Sequence, residues 1–108
     1  MTIVKLIDSS NEKILSKYKN FSGPLVFVTG CIFIMDIERL KNGLPQRGFH
    51  TTIIIGCIKL SEAIIVFETF NGEYTFEIID GKIDLSDGFI DEIIEGNFKM
   101  YKEEILND

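Results

Sequence analysis

Residues 64–70 and 73–79 are two β-branched and aromatic runs in which apolar and polar positions alternate, separated by Asn71-Gly72. A period of two belongs to a half-buried strand, and an Asn-Gly dipeptide favours a two-residue type I′ turn, whose central residues both need positive φ. Centring the turn on that dipeptide places Phe70 opposite Glu73, Glu68 opposite Thr75 and Phe67 opposite Phe76. One face is then apolar (Ile65, Phe67, Tyr74, Phe76, Ile78), and the other carries Glu68, Glu73 and Glu77. A second turn at Asp80-Gly81 brings Ile83 and Leu85 onto the core face and sets Asp84 beside Glu77.

The rest of the chain supplies further strands and helices at both ends. Residues 2–7 read as a short strand, with Val4 and Leu6 on one face and Ile3 and Ile7 on the other. Ser9-Ser10-Asn11-Glu12 matches a capping box for a helix over about residues 10–19, with Ile14, Leu15 and Tyr18 as its apolar stripe. The run 25–34 is almost unbroken in strand-forming residues and predicts a central strand covered on both faces, with Gly30 marking a bulge or a close backbone approach. Residues 35–41 fit either a helical spacing or an extended edge, and a continuing strand is favoured. A Gly/Pro loop over 42–48 leads into a strand over 49–60. Ser86 is a candidate N-cap for a helix through Glu95 with Phe89, Ile90, Ile93 and Ile94 inward. Gly96 is expected to end it, and Asn97 to cap a last helix with Phe98, Tyr101 and Ile105 inward. The expected fold is α+β: one domain over 1–108, with an antiparallel sheet of about five to six strands, a meander with two tight hairpins, packed against an N-terminal helix and C-terminal helices.

Composition changes this picture mainly through charge. The chain carries +4 over residues 1–60 and −10 over residues 61–108, for a net charge of −6. Ten acids and a single Lys fall between Glu62 and Glu95. Such asymmetry predicts a dipolar surface and a charged partner. The competing reading is a solvated face that only keeps the protein dispersed. The start of the chain lacks the pattern of a signal peptide and no apolar run reaches the length of a membrane span, so a cytoplasmic protein is expected, with no membrane contact. Cys31 and Cys57 lie in apolar runs and are expected to be buried and reduced.

Candidate chemistry is sparse. His50 is the only histidine, and no nucleophile can be set beside it. Cys31, Cys57 and His50 lack the spacing of a zinc site, and residues 80–84 lack that of a calcium loop, so no metal and no cofactor is assigned. Arg39, Lys41 and Arg47 are weak grounds for direct nucleic-acid contact in an acidic chain. No catalytic residue is assigned, and the protein is not read as an enzyme.

The run Ile83-Asp84-Leu85-Ser86-Asp87-Gly88-Phe89-Ile90-Asp91-Glu92-Ile93-Ile94 resembles the tail of SUKH-type immunity proteins, where a strand leads into a Ser/Asp-capped helix that begins with an aromatic. The likeness covers about a dozen residues, and a small acidic domain rich in Ile, Lys and Glu is similar in type to the immunity proteins that neutralise bacterial toxins. The resemblance implies an inhibitor that binds a basic protein partner, such as a nuclease toxin. Glu68, Glu73, Glu77, Asp84, Asp91 and Glu95 are the expected contacts, with Phe70 as the apolar anchor. The alternative is a small ligand-binding or enzymatic domain with a site between the sheet and the 42–48 loop, using His50 and Arg47.

Overall fold

The structure, a computed structural model, describes residues 1–45 and 48–106. Six antiparallel strands follow one another in chain order: β1 Ile3–Ser9, β2 Ser22–Val28, β3 Cys31–Met35, β4 Gly48–Lys59, β5 Ile64–Thr69 and β6 Gly72–Asp80. β6 pairs back onto β1, so the sheet closes into a barrel and leaves no free edge. Helix α1, Glu12–Tyr18, joins β1 to β2; α2, Ile37–Lys41, joins β3 to β4; α3, Phe89–Leu106, follows the last strand. The α+β class, the six-stranded antiparallel meander and the terminal helices are those expected, and of the two expected tight hairpins the one between β5 and β6 forms.

A different tight hairpin interrupts the run 25–34, for which an unbroken central strand is expected. Val28 pairs with Cys31 across Thr29 (φ 50°) and Gly30 (φ 80°), so the run 25–34 is two strands joined by a tight turn with both central residues left-handed. Threonine there gives no turn signal in the sequence. The expected strand over 35–41 is also overturned. Asp36 Oδ1 accepts from Glu38 N at 3.0 Å and Arg39 N at 3.3 Å, which caps α2.

β4 serves both halves of the barrel. Its start pairs with β3 and its end with β5, with register irregularities between Cys31 and Phe33 on one side and between Ile54 and Gly56 on the other. Such bulges sharpen twist and turn a strand around a barrel corner. A Cβ on Gly23 or Gly48 would fall within about 2 Å of the carbonyl oxygens of Met35 or Ile34, which is why β2 and β4 crowd the end of β3 only as glycines.

Inside, Val4, Leu6, Ile32, Ile34, Ile54, Ile65, Phe67, Tyr74 and Phe76 are fully buried. Each large side chain of this kind stabilises by about 1.5–3 kcal/mol. α1 closes one end: Tyr18 packs on Phe21 and Phe49, with ring centroids 5.6 and 4.9 Å away, and Phe49 stacks on Tyr74 and Phe76. The cap of α1 is Asn11, whose Oδ1 accepts from Ile14 N, rather than Ser9. Ser9 ends β1 and is buried, with its hydroxyl donating to Glu73 O at 2.8 Å.

The other end is closed by α3 and the segment before it. Ile83 and Ile90 are buried there, and Phe89 packs edge-on to Phe27 at 5.5 Å while staying half exposed. Among the described residues no strand forms after Asp80. Leu85–Asp87 is a 3-10 turn capped by Asp84, and Gly88 in the left-handed region leads into α3. The expected second hairpin at Asp80-Gly81 and the expected Ser86 cap are therefore both replaced. α3 also runs straight through Gly96 and Asn97. Asn97 is buried mid-helix: its Nδ2 donates to Gly30 O at 3.0 Å and to Ile54 O at 2.8 Å, and these two carbonyls satisfy a polar group that otherwise favours a helix end. Gly30 is needed at that contact, because a Cβ there would lie 2.0 Å from Asn97 Oδ1. Phe98 is largely exposed rather than inward; the side chains of Tyr101 and Ile105 lie outside the described residues.

Candidate partner-binding surface

The β5–β6 hairpin turns at Phe70-Asn71, with Thr69 paired to Gly72. Every cross-strand pair is therefore shifted by two from the expected register: Glu68 faces Glu73, Phe67 faces Tyr74 and Ile65 faces Phe76. A shift of two keeps each side chain on its face, so the apolar face still fills the barrel and the acidic face still points outward. What moves the turn is Asn71. Its Oδ1 lies within hydrogen-bonding reach of Thr52 Oγ1 (3.0 Å), Thr69 Oγ1 (2.9 Å) and Tyr74 OH (3.1 Å), and Thr52 Oγ1 accepts from Asn71 N at 3.1 Å.

The outer wall over β4, β5, β6 and β1 can be read in rows. Gly56, Glu68 and Glu73 form the row nearest the turn; Ile58, Val66, Thr75 and Asp8 form the next; Ile64, Glu77 and Lys5 form the third. Leu60, whose N donates to Ile64 O, extends that third row. Ile58 and Leu60 are 63% and 64% exposed, so the wall has an apolar middle and an acidic rim. Glu68 and Glu73 are exposed and directly opposed, and neither has an ion pair among the described residues. The pair next to a two-residue turn's closing pair is of the non-hydrogen-bonded type, where side chains come closest.

The other expected contacts separate from this pair. Glu77 lies two rows away, beside Ile64 and Lys5, and its carboxylate sits 3.7 Å from Lys5 Nζ. Asp84 is not beside Glu77. It caps the 3-10 turn at the far end of the barrel, where hydrogen bonds from the Ser86 hydroxyl and amide, with Lys82 and Lys59 nearby, hold its carboxyl below the usual carboxylate range. Asp91 lies in the first turn of α3, where an acid offsets the helix dipole, and Glu95 is exposed further along that helix. Phe70 is half exposed at the turn, next to Glu68 and Glu73. The structure thus brings together Glu68, Phe70 and Glu73, and places Asp84 on the 3-10 turn and Asp91 and Glu95 on α3.

His50 is exposed on β4 and paired with Phe33. It lines an open hollow of about 490 Å³ with Val28, Thr29, Cys31, Phe33 and Thr51, on the wall of β2, β3 and β4. Arg47 lies outside the described residues. Both cysteines are free and only partly buried. Burial pushes the Cys57 thiol up to about 11, with the charge of Asp91 adding to the shift. The exposed apolar residues Ile58, Leu60 and Val28 were not singled out from the sequence, because apolar residues on both faces of a strand suggest burial on both.

Among the described residues no three His, Cys, Asp or Glu side chains converge as a metal site, and no helix is long and apolar enough to cross a membrane. No known protein family, curated protein or solved structure matches the chain.

Proposed function

We propose that this protein is a binding module: an immunity protein or comparable inhibitor that covers the working surface of a basic protein partner such as a nuclease toxin. The observation that carries the reading is the exposed Glu68–Glu73 pair, directly opposed on a rigid wall and beside exposed Ile58 and Leu60. Like charges opposite each other destabilise a sheet by a few tenths of a kcal/mol or more. A cationic partner relieves that repulsion, and the apolar middle of the wall supplies contact area.

The test is Glu68→Lys. It converts the like pair into an opposite-charge pair, so the fold is stabilised by roughly 0.2–1 kcal/mol while capture of the protein encoded beside this gene is lost. Retained capture by a variant that melts at or above the wild-type temperature rejects the hairpin wall as the binding surface.

A second reading is favoured by the hollow at His50, whose lining is mainly apolar and whose size suits a small ligand. A thermal-shift screen of small aromatic and aliphatic acids addresses it, because a ligand at 100 times its Kd stabilises by about 2.7 kcal/mol. A flat screen removes it and leaves the inhibitor reading standing.

A further inference from the structure

Gly96 lies in the middle of α3, where glycine costs roughly 0.5–1 kcal/mol relative to alanine. Among the described residues nothing uses its missing side chain: a Cβ built there meets no atom within 4 Å. The open space is one side of a hollow of about 390 Å³ between α3 and the β2–β3 turn, lined by Thr29, Gly30, Ile93, Gly96 and Met100, with Glu92 at its border. Met100 is 46% exposed. At 100° per residue, Glu92, Gly96, Met100 and Glu103 fall on one stripe of the helix, at i, i+4, i+8 and i+11. The stripe runs acid, notch, apolar, acid, with exposed Lys99 at i+7 on its flank and the two carboxylates separated by about 16 Å along the axis.

We propose that this groove seats an amphipathic helix of a partner protein, which lays an apolar stripe over Gly96 and Met100 and sets Lys or Arg residues against Glu92 and Glu103. A glycine at the crossing point lets two helices approach closely, and the acid at each end selects the sign of the incoming charges. The groove is lined by α3 and the β2–β3 turn and includes none of the wall residues Glu68, Glu73, Ile58 and Leu60, so the inference stands or falls separately from the function proposed above.

The probe is a phage-displayed library of 18-residue helical peptides selected against the full chain. Enriched peptides are expected to carry apolar residues at i and i+4 between basic residues, and to shift the amide resonances of residues 29–30 and 92–103. Gly96→Ala is expected to raise the melting temperature yet weaken these peptides. Gly96→Leu, whose side chain enters open space, is expected to weaken them by about tenfold or more, and Glu92→Lys to weaken them as well. No enrichment, shifts confined to another surface, or equal binding by a folded Gly96→Leu variant overturns the proposal.

Discussion

Replacing Asn97 by Leu removes the only side-chain hydrogen bonds described between α3 and the barrel, those to Gly30 O in the β2–β3 turn and Ile54 O in β4. Each contributes about 1 kcal/mol, and setting an apolar side chain against two carbonyl oxygens adds to the loss, so the expected cost is about 2–4 kcal/mol. For a domain whose total stability is roughly 5–15 kcal/mol, that lowers the melting temperature by roughly 10–20 °C. Gly30→Ala attacks the same contact from the other side: it forces alanine into φ 80° and drives a Cβ to 2.0 Å from Asn97 Oδ1. The backbone strain of about 1–2 kcal/mol remains whatever occupies position 97, but the clash does not. The double variant Gly30→Ala/Asn97→Ala should therefore be more stable than the sum of its parts by about 1 kcal/mol or more. Urea denaturation measures the stabilities of wild type, Asn97→Leu, Asn97→Ala, Gly30→Ala and the double variant, and amide exchange shows whether α3 loses protection before the barrel does. Strict additivity, or an Asn97→Leu variant within 0.5 kcal/mol of wild type by the usual ±0.5 kcal/mol range of surface changes, refutes the clamp.

Other outcomes follow from the same geometry. With a thiol raised to about 11, Cys57 is ionised to only about one part in a thousand at pH 8, so an alkylating reagent should label it far more slowly than the same cysteine in urea; comparable rates contradict the placement. Asp91→Asn removes one contributor to that shift and should speed labelling, read by mass spectrometry. Asp84 has a depressed carboxyl, so its contribution to stability is present above about pH 4 and is lost as pH falls through its folded value; the stability gap between wild type and Asp84→Ala should narrow in that range, and a constant gap in acid denaturation counts against the cap. Partner association steered by Glu68 and Glu73 should slow as ionic strength rises to 0.15 M, where the Debye length is about 8 Å, with dissociation nearly unchanged in stopped-flow traces; salt-independent association assigns no steering role to the acids.

Period and parity made the inner faces legible in the sequence. Phe67, Tyr74 and Phe76 were assignable to the core because alternation survives a register error of two. The register itself was not legible, since the partners that fix Asn71 are Thr52, from another strand, and the buried hydroxyl of Tyr74. Likewise, Gly96-Asn97 reads locally as a helix end, and only two carbonyls distant in the chain make it helix interior. The candidate site was half legible. Glu68 and Glu73 could be placed on one face, but Asp84 depended on a strand that does not form, and the exposed apolar wall looked like interior because residues such as Ile58 are apolar wherever they point.

Barrel closure sets an order of events during synthesis. β1 is made well before its partner β6, which begins at Gly72, and Ser9 must wait for Tyr74. At about 5–20 residues per second, that is a delay of roughly 3–13 s in which β1 has only β2 beside it. Until β6 arrives, the growing chain exposes two open strand edges and the apolar inner faces of β2 to β5. During that interval the chain carries strand edges that the finished barrel no longer has. Any message truncated before the codon for residue 72 leaves a sheet that cannot close.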